Sequence, residues 1–178
     1  MGKQYNAIPE KLNTFITAQK IFFVGTAGSA GKVNVSPKGM DSFRIIDEHT
    51  VRWLNVTGSG NETAAHVLEN QRMTIMFCAF EGKPMILRLY GMALMTQPHD
   101  PEWEQHSQHF PDLPGARQIF TLNIDLVQTS CGMAVPFYDY QNERDQLNHW
   151  AEVKGTQGVK QYWKDKNAVS LDGKPTGI

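Results

Sequence analysis

The stretch Asn55–Asn70, NVTGSGNETAAHVLEN, reads as a strand that stops at glycines and becomes a helix. Between Val56 and Ala64 it carries Gly58 and Gly60, the hydroxyls of Thr57, Ser59 and Thr63, the amide of Asn61, and no apolar residue. Two physical readings compete for so polar a turn. In one, Ser59 and Glu62 form a capping box, the hydroxyl accepting from the helix while the carboxylate reaches back. In the other, the free N–H groups of the first helical turn and the neighbouring hydroxyls surround an anion, which the helix dipole also favours. Gly58 and Gly60 then let the backbone approach the anion with no Cβ in the way. The turn lacks the lysine of a nucleoside-triphosphatase phosphate loop. Glu62 opposes an anion unless its carboxylate is engaged elsewhere.

Working outward, apolar residues alternate in short runs separated by polar turns, the pattern of antiparallel strands. Lys20–Thr26 and the KVNVS run flank AGSAG, which predicts a loose hairpin. Phe43–Ile46 and Thr50–Asn55 flank a turn at DEH, and Met73–Phe80 and Met85–Met95 flank EGK. Ile119–Gln128 alternates as one more long strand. Ile8, Leu12, Phe15 and Ile16 recur at helical spacing around Pro9, so a short amphipathic helix opens the chain. Glu143–Val153 and Gly158–Lys166 read as helices in a polar C-terminal extension that begins at about residue 140. Six or seven strands with few helices predict a barrel, because closure removes exposed edges. No internal repeat or linker divides the chain, so residues 1–178 are expected to form one domain.

Composition excludes several functions. Hydrophobic residues at 40% and charged residues at 20% describe a globular chain with enough apolar surface for a core. A net charge of −1 without a lysine–arginine cluster argues against nucleic acid as a partner. No apolar run approaches the roughly 20 residues of a membrane span. The N-terminal MGKQYNAIPEKLNTF has no signal-peptide core, and Asn6 stands where a myristoylation signal has Ser or Thr. A cytoplasmic protein is expected. Cys78 and Cys131 have no metal-type spacing and are read as buried, unbridged thiols.

The order of these pieces is informative: KVNVSPKGMD, then a strand, then TGSGNET and a helix, then a strand, then PMILRLYG. Over about Leu12 to Gln128 it resembles the FMN-binding split-barrel family that includes pyridoxamine 5′-phosphate oxidase. Its details (TGSGNETAAH, FCAFEG, LRLYG, SCGMAVPFYDY) look like a bacterial subgroup of that family. The resemblance implies a six- or seven-stranded FMN-binding split β-barrel and a homodimer with FMN at the subunit interface. It implies that the strand Val33–Lys38, through Val35, Ser36, Pro37 and Lys38 and followed by Gly39, lines the isoalloxazine. It further implies that Asn55, Val56, Ser59, Gly60, Asn61 and Thr63 hold the FMN phosphate, and that Arg88, ahead of Gly91, contacts the cofactor. The chain also departs from the family. Its phosphate turn has no basic side chain, so hydroxyls, amides and backbone N–H groups are expected to substitute. No arginine follows Arg144, whereas the oxidase ends in tryptophan, arginine and histidine around its substrate, which argues against pyridoxamine phosphate here.

The remaining residues sort by chemistry. Lys38 is either a solvated turn residue or a cation beside the flavin, where positive charge near N1 and C2=O favours the reduced anion. Arg88, between Leu87 and Leu89, needs a partner if it is buried, and a phosphate supplies one. Trp53 reads as core. His99, His106 and His109 read as solvated, without the further ligands a metal would need. No catalytic triad or carboxylate pair is legible, and flavin chemistry requires none. Three functions follow from the resemblance: an FMN-dependent oxidoreductase acting on a small molecule, a flavin carrier or sensor, and a haem-handling relative.

Overall fold

Each predicted hairpin forms. The structure, a computed structural model, describes residues 2–178. Its strands are β1 (Lys3–Tyr5), β2 (Phe22–Thr26), β3 (Asn34–Lys38), β4 (Phe43–Asp47), β5 (Thr50–Val56), β6 (Arg72–Cys78), β7 (Ile86–Thr96) and β8 (Ala116–Ser130). The helices are α1 (Glu10–Ala18), α2 (Glu62–Asn70), α3 (Trp103–Ser107) and α4 (Gln146–Tyr162). The expected six or seven strands are therefore eight. The addition is β1, whose three residues KQY are too few to show alternation and which pairs with Val127–Thr129 of β8.

All pairings are antiparallel, in the order β3-β2-β6-β7-β8-β5-β4. Strand β8 is long enough to serve three neighbours. It pairs with β7 along most of its length, with β5 through its first half, and with β1 near its end. The terminal strands β3 and β4 are not hydrogen-bonded to each other, yet they face one interior. The Phe43 ring of β4 lies 5.1 Å from Phe22 of β2 and 5.2 Å from Phe77 of β6. The sheet is thus a curled barrel split between β3 and β4. Residues 39–42 cross the split, with Met40 and Asp41 both in the left-handed region (φ 65° and 52°).

Alternation sends one face of each strand into a single core containing Val24, Trp53, Ile75, Phe77, Leu87, Leu89, Phe120 and Leu122. Trp53 stacks on Phe120 at 4.9 Å, so it is core as its strand position predicted. Phe22, Val24, Met73, Ile75 and Phe77 are all buried within the chain. The runs Ile21–Val24 and Met73–Phe80 therefore leave no large apolar face of their own, because curling the sheet encloses their inward side chains. Gly91 sits at an irregularity in the β7–β8 ladder, where a Cβ would collide with the Asn123 carbonyl.

Beyond β8 the extension differs from expectation. Residues 131–145 form neither helix nor strand, and α4 begins only at Gln146. Gly155 (φ 64°, ψ 165°) breaks α4 where the sequence suggested two helices, and a wide π-helical turn, Trp163–Asn167, follows. Cys78 is buried and Cys131 is exposed, both as free thiols. The burial expected of Cys131 fails because it lies just past the end of β8, where the chain has left the core. Among the described residues no helix is long and apolar enough to cross a membrane.

Candidate functional site

Strand β5 ends in the glycine turn, and Thr57 anchors that turn. Its N–H and hydroxyl both donate to the Gly115 carbonyl, at 2.9 and 2.8 Å. Gly58, Ser59 and Gly60 are exposed, and α2 starts at Glu62 with Asn61 before it. The capping box does not form. Asn61 is the N-cap residue, no side chain caps the helix, and the Glu62 carboxylate instead accepts the Leu171 N–H at 3.0 and 3.1 Å. The helix begins late enough to leave Ser59 outside it, and Glu62, which borders the same cavity, has its carboxylate bonded to the C-terminal tail. Helix α2 is held to the barrel by buried His66, whose Nδ1 is 3.0 Å from Thr26 Oγ1.

Strand β3 forms the facing wall. Its residues alternate, so Asn34, Ser36 and Lys38 point inward while Val35 and Pro37 are exposed on the other side. Ser36 donates to Asn34 Oδ1 at 3.0 Å, and Asn34 Nδ2 donates to Thr63 Oγ1 at 3.2 Å, which couples β3 to the first turn of α2. Lys38 Nζ lies 5.0 Å from the centre of the Trp53 ring, where the ring face attracts a cation. Between the two walls is a cavity of about 260 Å³, lined also by Asn55 of β5 and Arg117 of β8. Asn55 is itself committed to the sheet, donating to Gln118 Oε1 at 3.1 Å.

The structure thus brings together Ser36, Lys38, Asn55, Ser59, Gly60, Asn61 and Thr63. Val35, Val56, Pro37 and Arg88 do not line the cavity. Arg88 lies on the face of β7 opposite the core and donates to Ser130 Oγ at 3.2 Å. Arg117 is the residue that sequence reasoning missed. The turn itself has no basic side chain, as expected, but two other strands deliver cations to it.

Those cations carry the electrostatics of the site. Burial, reinforced by the Arg117 charge, pushes Lys38 down to about 8, and burial alone brings Arg117 down to about 10 against the pull of Tyr162. Among the described residues neither joins an ion pair. Arg117 Nε and Asn61 Oδ1 are buried without any hydrogen-bond partner. Gln118 Nε2 and Asn148 Oδ1 are buried without a partner as well, but only Arg117 and Asn61 line the recess, where a ligand could complete both atoms. Two cations and a guanidinium N–H suit a phosphate, and the Asn61 oxygen suits a hydroxyl beside it.

The C-terminal tail supports the residues that line the site. Trp163 Nε1 donates to Thr57 Oγ1 at 2.7 Å, and fully buried Asn167 bonds both Arg117 and the glycine turn. Two ion pairs fasten the tail to the barrel, Lys32 with Asp172 at 2.7 Å and Lys174 with Glu69. A larger cavity, about 380 Å³, opens at the split beside Phe22, Phe43, Phe77 and Arg44. The histidines are scattered: His106 bonds Thr96 Oγ1 at 3.1 Å, and His99 lies near Asp100 on the surface. Among the described residues no three metal-ligating side chains cluster.

Comparison with known proteins agrees with this architecture. The family model described as pyridoxamine 5′-phosphate oxidase matches residues 8–131. The chain is 35% identical to the pyridoxamine 5′-phosphate oxidase family protein ustO of Aspergillus flavus, over 96% of its own length and 76% of that protein's. That relative is fungal, so the likeness is not confined to the bacterial subgroup the motifs suggested. Among solved structures, a HupZ variant from Group A Streptococcus superposes with a TM-score of 0.56 at 18% identity, covering 69% of this chain and 99% of that one. A FAD-binding protein from Mesorhizobium loti gives 0.51 at 12% identity, covering 72% and 97%. At these identities the two structures share the fold.

Proposed function

The chain belongs to the pyridoxamine 5′-phosphate oxidase family, and from that premise we propose that it binds FMN, with the phosphate between Lys38, Arg117 and the glycine turn. The observation that carries this reading is the pair of orphaned atoms, Arg117 Nε and Asn61 Oδ1, beside two cations that have no carboxylate partner. A ribityl phosphate offers both complements, an anion for the donor and a hydroxyl for the acceptor. A structural relative described as FAD-binding supports a flavin in general.

In this reading Arg117 and Lys38 hold the phosphate charge, Ser59, Gly60 and Thr63 add hydroxyl and backbone donors, and Asn61 accepts from the ribityl chain. Lys38 also stands at the end of the strand Val35, Ser36, Pro37, Lys38, which borders the isoalloxazine. The bound flavin supplies the hydride chemistry, so the chain needs no acid–base pair of its own and acts as an FMN-dependent oxidoreductase on a small molecule. We read residues 1–178 as one functional unit, because the tail bonds the residues that line the cavity, and we place it in the cytoplasm.

A homodimer is part of the proposal. Val33 and Val35 of the β3 region and Met92 and Leu94 of β7 are exposed apolar residues on outward faces, which a second copy would cover. Arg88, outside one chain's cavity, then reaches the cofactor across the interface. Arg88→Met is expected to lower FMN affinity roughly ten- to a hundredfold, the loss of one charged hydrogen bond. Unchanged affinity in that variant would remove Arg88 from the site.

The test of the whole reading is the absorption spectrum of the purified protein, recorded alone and after titration with FMN. Flavin bands are expected, and bleaching by NAD(P)H under argon identifies the enzyme. A colourless protein that does not take up FMN would overturn it.

A further inference from the structure

The geometry points to Asn167 as the residue that sets the phosphate preference of this site, a positioning role exerted from the C-terminal tail. The inference rests on the proposal that a phosphate occupies the Lys38–Arg117 cavity. Asn167 is fully buried. Its Oδ1 accepts from Arg117 Nη1 at 2.5 Å, while its Nδ2 donates to the carbonyls of Gly58 at 3.1 Å and Ser59 at 3.4 Å. Its backbone carbonyl accepts from Thr176 Oγ1 at 2.5 Å and Asn61 Nδ2 at 3.5 Å. One side chain therefore grips both the cation and the turn.

Two consequences follow from elementary chemistry. A neutral amide orients a guanidinium without neutralising it, whereas a carboxylate in its place would form an ion pair and remove the charge an anion needs. In a trans peptide the N–H points opposite to the C=O. Drawing the Gly58 and Ser59 carbonyls toward Asn167 therefore turns the N–H groups of Ser59 and Gly60 away from it. Asn167 thus removes two repulsive carbonyls and presents two donors, while keeping Arg117 charged and fixed.

The measurement is a parallel titration of the protein with FMN and with riboflavin, which lacks the phosphate, followed by flavin fluorescence. The wild-type protein should prefer FMN by at least roughly tenfold, the equivalent of one charged hydrogen bond. Asn167→Asp keeps the size, adds a negative charge beside Arg117 and sets an acceptor against the Gly58 and Ser59 carbonyls, and should reduce that preference at least about tenfold while riboflavin, which lacks the phosphate, is affected much less. Thr176→Val loosens Asn167 without touching the cavity or Arg117, and should reduce it about two- to threefold, as expected for one neutral hydrogen bond. A merely structural role would weaken both flavins together and leave their ratio constant. A wild-type ratio in the folded Asn167→Asp protein, or in Thr176→Val should the first variant not fold, would overturn the assignment. Equal binding of FMN and riboflavin by the wild-type protein would overturn both this inference and the phosphate site beneath it.

Discussion

Two arginines border the two cavities of this barrel, and they are used in opposite ways. At the larger cavity, Arg44 Nε donates to the His109 carbonyl at 2.7 Å, and its two terminal nitrogens grip the Asp41 carboxylate at 2.7 and 2.9 Å. At the smaller cavity, Arg117 meets a neutral amide, keeps an N–H without a partner, and shares the recess with a second cation. Arg44 is a finished structural contact. Arg117 is an unfinished one. Volume favours the larger recess, whereas hydrogen-bonding capacity left unused favours the smaller, the one proposed to hold the phosphate, because native interiors rarely tolerate orphaned polar atoms.

The comparison breaks most readily at the arginines themselves. Arg117→Met is expected to weaken FMN binding by about 1.5–3 kcal/mol or more, roughly ten- to a hundredfold, measured by flavin fluorescence. Arg44→Met should leave FMN affinity nearly unchanged and lower only thermal stability. The reverse outcome would show that the larger cavity holds the flavin. Lys38→Met should cost about tenfold, as for one charged contact, and it also sharpens the electrostatics. The free-protein Lys38, held down to about 8, binds an anion only while protonated. FMN affinity should therefore be full below about pH 8 and fall as pH rises through it, and the Lys38→Met profile should lack that decline. A wild-type profile that is flat from pH 7 to 10 would place Lys38 away from the phosphate.

Smaller effects belong to the turn. A Cβ at Gly60 would meet only Glu62 Oε1, at 3.4 Å, so Gly60→Val should fold normally. Any loss of FMN in that variant, expected to be several-fold, then comes from a clash with the ligand, and full FMN retention would move the seat elsewhere. Ser59→Ala should cost about 1 kcal/mol, one neutral hydrogen bond. No loss on titration would leave the phosphate to backbone and cations alone.

What could be read in advance follows from periodicity. Strands from Phe22 to Val127 were legible because their inward residues alternate, and the glycine turn was legible because Gly58, Gly60 and the hydroxyls between strand and helix are a local pattern. Arg117 was not. Plain alternation puts it on the face of Thr121 and exposed Asn123, opposite the core residues Phe120 and Leu122, where a cation draws no attention. The β5–β8 register shifts between Asn55 and Val56, opposite Arg117, and no local pattern announces that irregularity. The turn alone left two readings open because the same spacing, Ser59 to Glu62, fits a capping box and also a helix that starts later with its acid bonded to Leu171. Asn61 meets Asn167, and Glu62 meets Leu171, across more than a hundred residues of chain, and a single polar side chain has no period to betray such a contact.

The distance along the chain between Arg117 and Asn167 gives assembly an order in time. A ribosome releases the arginine fifty residues ahead of the amide that fixes it, and completes the last barrel strand, which ends at Ser130, well before that amide. Local hairpins close sooner than distant pairings, so the nascent barrel has formed while its guanidinium is still loose. On the flavin reading proposed above, full affinity for FMN waits for Asn167 to emerge, and a polypeptide clipped ahead of it should fold into a barrel that holds FMN no better than riboflavin.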